Sequence, residues 1–488
     1  MPRLSKYFLT VWLAMGTAAF AQDAGLDLRG SVADDNLDPL SGDQPEAGTA
    51  QRNPAQADVG LPGASNAATE EVGSTGLRLG NRATPVRPFS DRLAAVSRIG
   101  GNENQLDPGV YGGDTTFDEA RGLRVGTFTI FPELTLTGGW TDNQSGSANG
   151  ESGQLYRITP NITATSDWSR HQLDLALRGT YVGYPGSTDD DEGNVLASAR
   201  LRLDVSNRTT VNGGLAYTYS QEDGSGLESA NGTDDVHSFS LDLGATRDAG
   251  LLSVTASGGV DRNIYTADDS NSATNSSSRD NTLYSANLRL DSNGGGVLSP
   301  FVEGSFLWRR FDKTCSDAIC EDRNSKGYAL RGGVVVSSGP KLNGEISAGY
   351  RIEDLDDKRL EDLAGLTVDA SLVWSPSRLT TVTAGLGTNF DTTDVDGASG
   401  SIIYSGDLRI AHGFSDRFAA EAGIGYELRD YQGIDVEERT ATGLLGLTYA
   451  ISRNVALTTQ YTHRRFDSSD NGSDYTENSI EAGVRIRH

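Results

Sequence analysis

The chain is poor in the residues that catalysis and metal binding draw on. Its 488 residues include two cysteines, two methionines and five histidines. It also has no apolar run of about 20 residues, the length a helix needs to cross a bilayer, and its mean hydropathy is −0.41. Basic residues are the minority: 41 Lys and Arg against 67 Asp and Glu, a formal net charge of −26. With no basic stripe for phosphates, nucleic acid is excluded as a partner. The acids gather in polar stretches such as Asp189-Asp190-Asp191-Glu192, Glu222-Asp223, Asp234-Asp235, Asp268-Asp269 and 354–357. Such runs solvate exposed loops, or bridge through divalent cations to anionic lipid or polysaccharide. They lack a fixed ligand geometry, so no metal site and no cofactor is expected.

Cys315 and Cys320 share one polar stretch, without the second ligand pair of a zinc site. In an oxidising compartment they are expected to form a local disulfide that staples its loop, with modest stabilisation because the closed loop is short. Export is expected from the start of the chain. Arg3 and Lys6 precede an apolar run from Tyr7 to Gly16, and Ala19-Phe20-Ala21 is a small-x-small cleavage site. Residues 1–21 therefore read as a signal peptide cleaved before Gln22.

Residues 22–120 are rich in Gly, Ala, Pro, Asp, Asn and Gln and hold no sustained period, which reads as a disordered periplasmic segment. One short helix is expected over 90–98, with Ser90 as its N-cap. A tether, a partner-binding arm and a peptide threaded into a lumen all fit this composition.

From Val125 onward the pattern becomes period two. In His171 to Tyr181, Leu173, Leu175, Leu177 and Tyr181 share a face opposite Asp174, Arg178 and Thr180. Side chains alternate across a strand, so one face meets lipid and the other a wet lumen. Short turns such as Ser169-Arg170, Asn207-Arg208, Asp248-Ala249-Gly250 and Ser338-Gly339-Pro340 alternate with longer polar loops near 142–153, 185–193, 222–235, 266–279, 313–325, 354–364, 391–400, 431–438 and 468–474. This rhythm specifies an all-β fold over 121–488: a transmembrane up-and-down antiparallel β-barrel of about eighteen strands. The strands are long for a globular sheet. Trp140, Trp168, Tyr184, Trp308, Trp374, Tyr404, Tyr449 and Tyr461 fall near strand ends, as interfacial girdles do. An even strand count puts both termini in the periplasm. A last strand running to His488 resembles the signal read by the barrel assembly machinery, although His replaces the usual Phe.

Several blocks in order resemble the Putative beta-barrel porin 2 family of Gram-negative outer membranes, often linked to exopolysaccharide gene clusters. They are Gly126-Thr-Phe-Thr-Ile-Phe-Pro132, Ser166-Asp-Trp-Ser-Arg-His171, Val373-Trp-Ser-Pro-Ser-Arg-Leu379, Arg453-Asn-Val-Ala-Leu457 and Gly472-Ser-Asp-Tyr-Thr476. The resemblance covers about 121–488 and implies an outer-membrane barrel with no catalytic motif to carry over.

About eighteen strands enclose an aqueous channel, where eight would be filled by side chains. The expected lumen lining is mixed in sign. Its bases are Arg178, Arg200, Arg202, Arg289, Arg309, Arg331, Arg351, Arg409 and Arg485. Its acids are Asp174, Asp204, Asp242, Asp261, Asp291, Glu303, Glu345, Asp369, Asp407, Glu421 and Glu481. Pairing across strands would keep the wall wet; a sugar-binding ladder along the path would use the same residues. No loop stands out in length as an inward constriction, which leaves a wide route for a polymer. The expected function is passage of exopolysaccharide or hydrophilic solutes across the outer membrane, with periplasmic export components as possible partners. The alternative is a non-conducting surface-structural barrel with adhesive acidic loops. No nucleophile–base–acid pattern supports an enzyme.

Overall fold

The computed structural model describes residues 122–488, apart from 187–190, 222–225, 228–233, 268–278, 294–295, 314–320, 339–340, 378, 394, 416 and 470–471. The expected signal peptide, the 22–120 segment with its helix at 90–98, and the Cys315–Cys320 pair lie outside the described residues.

Nineteen strands follow one another. They begin with β1 (Leu123–Val125), β2 (Phe128–Thr141), β3 (Gly153–Ser166), β4 (His171–Gly183), β5 (Glu192–Ser206) and β6 (Thr209–Gln221). Next come β7 (Asp234–Asp248), β8 (Leu252–Ala267), β9 (Asn281–Ser292), β10 (Leu298–Phe311), β11 (Ser325–Ser338) and β12 (Leu342–Leu355). The series ends with β13 (Leu363–Ser377), β14 (Thr380–Asp391), β15 (Gly400–Gly413), β16 (Phe418–Gln432), β17 (Glu437–Ala450), β18 (Val455–Ser468) and β19 (Tyr475–Arg487). No α-helix occurs among the described residues. The first strand is a three-residue stub; the other eighteen form a closed antiparallel barrel, each paired with its sequence neighbour and β19 pairing back onto β2.

Closure follows from the solvent. Hydrocarbon offers no partner to a backbone N–H or C=O, so a strand that crosses it must be paired on both edges. The stub extends this logic at one rim. Along β2, β19 covers Glu133 to Thr141 and β1 covers Phe128 to Ile130. Gly122 N donates to His488 O at 3.3 Å, so the two ends of the described chain meet at the short-turn rim. Only between β13 and β14, among the wall pairs, is one whole end unpaired: the ladder runs from Ala370 opposite Leu386 down to Ser377 opposite Thr380.

The burial pattern alternates as the period-two sequence requires. Leu175, Leu177, Leu215, Leu241, Leu288, Leu330, Leu386 and Leu445 are exposed on the outer face. Trp140, Trp168, Trp308, Trp374, Tyr449 and Tyr461 are exposed as well. From Leu298 to Trp308 the strand runs about 33 Å, or about 25 Å of height at a tilt near 40°, the thickness of an outer-membrane apolar band. Two of the expected girdle residues do not join this band. Tyr404 packs against an interior apolar cluster, and the hydroxyl of Tyr184, in the β4–β5 loop, donates to Glu192 at 3.1 Å.

The closing seam demands close backbone approach. A Cβ added at Gly483 would run into the Leu136 carbonyl, and one at Gly139 into the Ile480 carbonyl. Gly483→Ala should therefore destabilise the barrel by about 1–3 kcal/mol, the usual cost of overpacking. The readout is loss of the SDS-resistant folded band at lower temperature. Gly443→Ala, whose Cβ would meet open space, should leave that temperature unchanged.

Candidate functional site: the lumen wall and an inturned hairpin

The residues expected to line the lumen lie opposite in parity to the exposed leucines. Those on β9 to β13 form a network. Arg289 donates to both Glu345 oxygens at 3.0 and 2.9 Å and to Asp291 at 2.9 Å. Its guanidinium lies 3.6 Å from the Phe301 ring centroid. Arg331 donates to Glu303 at 2.6 Å and to Asp369 at 3.4 Å. Glu303 sits directly between Arg289 and Arg331 in register. Bases and acids thus alternate around the wall, which repays desolvation only because the geometry is close and partly bidentate.

Nearer the long-loop rim, Glu353 is enclosed by Arg351, Arg309 at 3.4 Å and Ser325 at 2.9 Å. Across the closing seam, Arg157 donates to Glu481 at 2.9 Å and Thr137 donates to it at 2.6 Å. On the remaining wall the expected residues are less enclosed. Asp174 faces Arg200 across β4 and β5, Arg202 pairs with Asp204 at 3.0 Å, and Arg409 with Glu421 at 3.4 Å. Arg178 lies opposite Asn161. Asp242 is buried opposite Gly214.

Sequence reading passed over several members of this network. Glu353 was hidden beside the acidic run 354–357, yet Arg351, Glu353 and Leu355 keep the period-two inward phase to the end of β12. Arg157, Arg429, Glu438 and Arg464 carry the same signal in their own strands.

A constriction exists that loop lengths did not announce. It is made by the upper half of the β14–β15 hairpin. Phe390 and Ile402, 1% and 2% exposed, pack with Leu355, Leu360 and Leu363, with Tyr404 against them. A Cβ on inward-facing Gly365 would stand 2.7 Å from Ile402 Cδ1, so bare backbone is what admits the hairpin. The Phe390 carbonyl accepts from Arg309 at 3.4 Å, and Arg351 lies 4.5 Å from the Phe390 ring centroid. Beyond the strand, Thr392 Oγ1 is 3.4 Å from the Tyr265 hydroxyl of β8.

The hairpin therefore stands inside the lumen, with an apolar side toward β12–β13. Its other side is polar: Arg429 donates to Asp391 and Ser401 at 3.3 Å each. Its tip is latched from the β10–β11 loop. Arg323 donates to Ala398 O at 3.1 Å and Val395 O at 2.8 Å, while Glu321 accepts from Gly397 N at 3.2 Å. A second inward reach comes from the β6–β7 loop, where Leu227 N donates to Glu438 of β17 at 2.6 Å.

Removing one partner from a buried charge cluster leaves the others uncompensated. Glu353→Leu should cost about 3–5 kcal/mol in urea unfolding of the refolded barrel. Glu353→Gln should cost less, because an amide oxygen still accepts from Ser325.

No curated protein matches the sequence. Solved structures similar in chain path include the copper transporter OprC, at 11% identity and TM-score 0.40, covering 76% of this chain and 82% of that one. The siderophore receptor PirA from Pseudomonas aeruginosa is 10% identical with TM-score 0.34, covering 74% and 80%. The outer membrane protein opdK from Pseudomonas aeruginosa is 12% identical with TM-score 0.38, covering 74% and 99%. The family model described as Putative beta-barrel porin 2 matches residues 117–488. An eighteen-stranded closed barrel, apolar outside and charged within, with this match across most of its length, belongs to the Putative beta-barrel porin 2 family of the outer membrane.

Proposed function

We propose that the protein is a channel that passes exopolysaccharide or hydrophilic solutes across the outer membrane, and that it is not an enzyme. The observation that carries this reading is the alternating Arg–carboxylate lining from Arg289 through Glu303, Arg331 and Asp369. Such a wall offers donors and acceptors in close succession, which suits a hydroxyl-rich chain moving past in steps. It also keeps the lumen wetted, and substitutions there tune selectivity. The inturned hairpin narrows the path and places Asp391 and Arg429 beside it.

The rim where Gly122 meets His488 is assigned to the periplasm. Gly122 then lies on the side where export components would be met. A second reading, a non-conducting surface-structural barrel, draws on the two inward contacts that cross the mouth, at Thr392 and at Leu227.

Single-channel recording of the refolded chain in planar bilayers separates the two readings. The channel reading expects discrete steps that flicker when an acidic oligosaccharide is added. It also expects several-fold larger steps once 392–399 is replaced by a short Gly-Ser turn. Silence from both proteins, with the folded band intact, would establish the structural reading instead.

A further inference from the structure

The wall is unzipped along one line. Above Ala370 and Leu386, residues 363–369 of β13 pair with β12 alone, and residues 387–391 of β14 pair with β15 alone. Elsewhere a break is local, as at Pro160 between β3 and β4, where pairing resumes on both sides. The height of the gap matters. Exposed Trp374 marks the short-turn edge of the apolar band. Five residues further along β13 the gap opens, about 17 Å along the strand and about 13 Å up at a 40° tilt, near mid-bilayer. Leu366, outward on β13 and 63% exposed, flanks it. The gap thus faces the hydrocarbon of the leaflet on the long-loop side.

An unpaired strand edge in lipid costs several kcal/mol per bare group, and the structure meets that cost with a replaceable contact. Thr388 Oγ1 accepts from Val368 N at 2.9 Å and donates to Val368 O at 3.1 Å, so one hydroxyl stands where a ladder would run. Behind it lies the apolar cluster of Leu355, Leu363, Phe390 and Ile402. Arg351 and Arg309 border that cluster on its lumen side, over the Phe390 ring and on its carbonyl.

An unpaired strand edge, an apolar cluster and two guanidiniums therefore follow one another along one line. We propose that the β13–β14 seam is a lateral gate that exchanges an anionic amphiphile between the lumen and the outer leaflet. Its acyl chain lies against Phe390 and Ile402, and its anionic head meets Arg351 and Arg309. Opening breaks the two Thr388–Val368 hydrogen bonds and swings the hairpin off β12–β13. No ladder between β13 and β14 has to be broken there. This path is separate from the axial route of the channel reading.

The test uses the full chain in outer-membrane-like vesicles, with Cys315 and Cys320 replaced by serine. A photoreactive benzoylphenylalanine replaces Phe390 in one variant and lipid-facing Leu215 in another, and radiolabelled palmitate is the probe. Each is compared with its Val368→Cys/Thr388→Cys derivative bridged by a short bis-maleimide. The proposal expects palmitate adducts at both positions in the unbridged proteins. Bridging should cut the adduct at 390 at least five-fold and leave that at 215 unchanged. No adduct at 390 while 215 is labelled would overturn the proposal. So would an adduct at 390 that survives bridging, since the chain would then have entered through the mouth.

Discussion

A peptide group in hydrocarbon must find its partner within the protein, and every other property of this chain is arranged around that demand. Eighteen strands satisfy it by pairing in sequence and closing β19 onto β2. Closure forces alternate side chains into lipid and lumen, so the period-two pattern follows from the same demand. It also explains the small residues at the closing seam, where Gly139 and Gly483 let two backbones approach without a Cβ between them. The β1 stub covers the part of β2 that β19 is too short to reach.

The inner face answers a second demand. Charges brought into a confined lumen must be paired or remain hydrated. Arg289 binds Asp291 on its own strand and Glu345 on β12, and Arg331 binds Glu303 on β10 and Asp369 on β13, so the ion pairs tie β9 through β13 together. The wall is therefore rigid and polar at once. Arginine suits the role because its planar fork engages two carboxylates without losing its charge. The inturned hairpin depends on this lining. Its tip is held by Arg309, Arg323 and Arg429, which supply donors to backbone carbonyls and side chains that the wall no longer pairs.

Much of this was legible in the residues. The alternation of Leu173, Leu175 and Leu177 with Asp174 and Arg178 specified the wall, and turn chemistry at Ser169-Arg170 and Asn207-Arg208 located its tight rim. The alternating stretch from His171 to Tyr181 lies within β4, His171–Gly183. Polar strand ends were harder. Glu353 and Leu355 looked like the edge of an acidic loop, because a strand that projects beyond lipid no longer needs an apolar outer face. The hairpin was not legible at all. Phe390, Ile402 and Tyr404 carry the same alternation as any lipid-facing trio, and only the missing β13–β14 pairing shows that their partner is the opposite face of the wall. Short-range periodicity records that a side chain is apolar, and it does not record whether lipid or protein covers it.

Residue-resolved hydrogen exchange of the barrel in nanodiscs tests the central claim, that the β13–β14 ladder stops at Ala370 and Leu386 while β12–β13 and β14–β15 run on toward the long-loop rim. Val368 directs its N–H and C=O toward β14, so alternation directs those of Ala364 and Leu366 the same way. The account predicts fast exchange at Ala364 and Leu366 and slow exchange at Gly365 and Thr367, which face β12. Equal protection at all four positions would mean that β13 and β14 are zipped to the rim, and would contradict it.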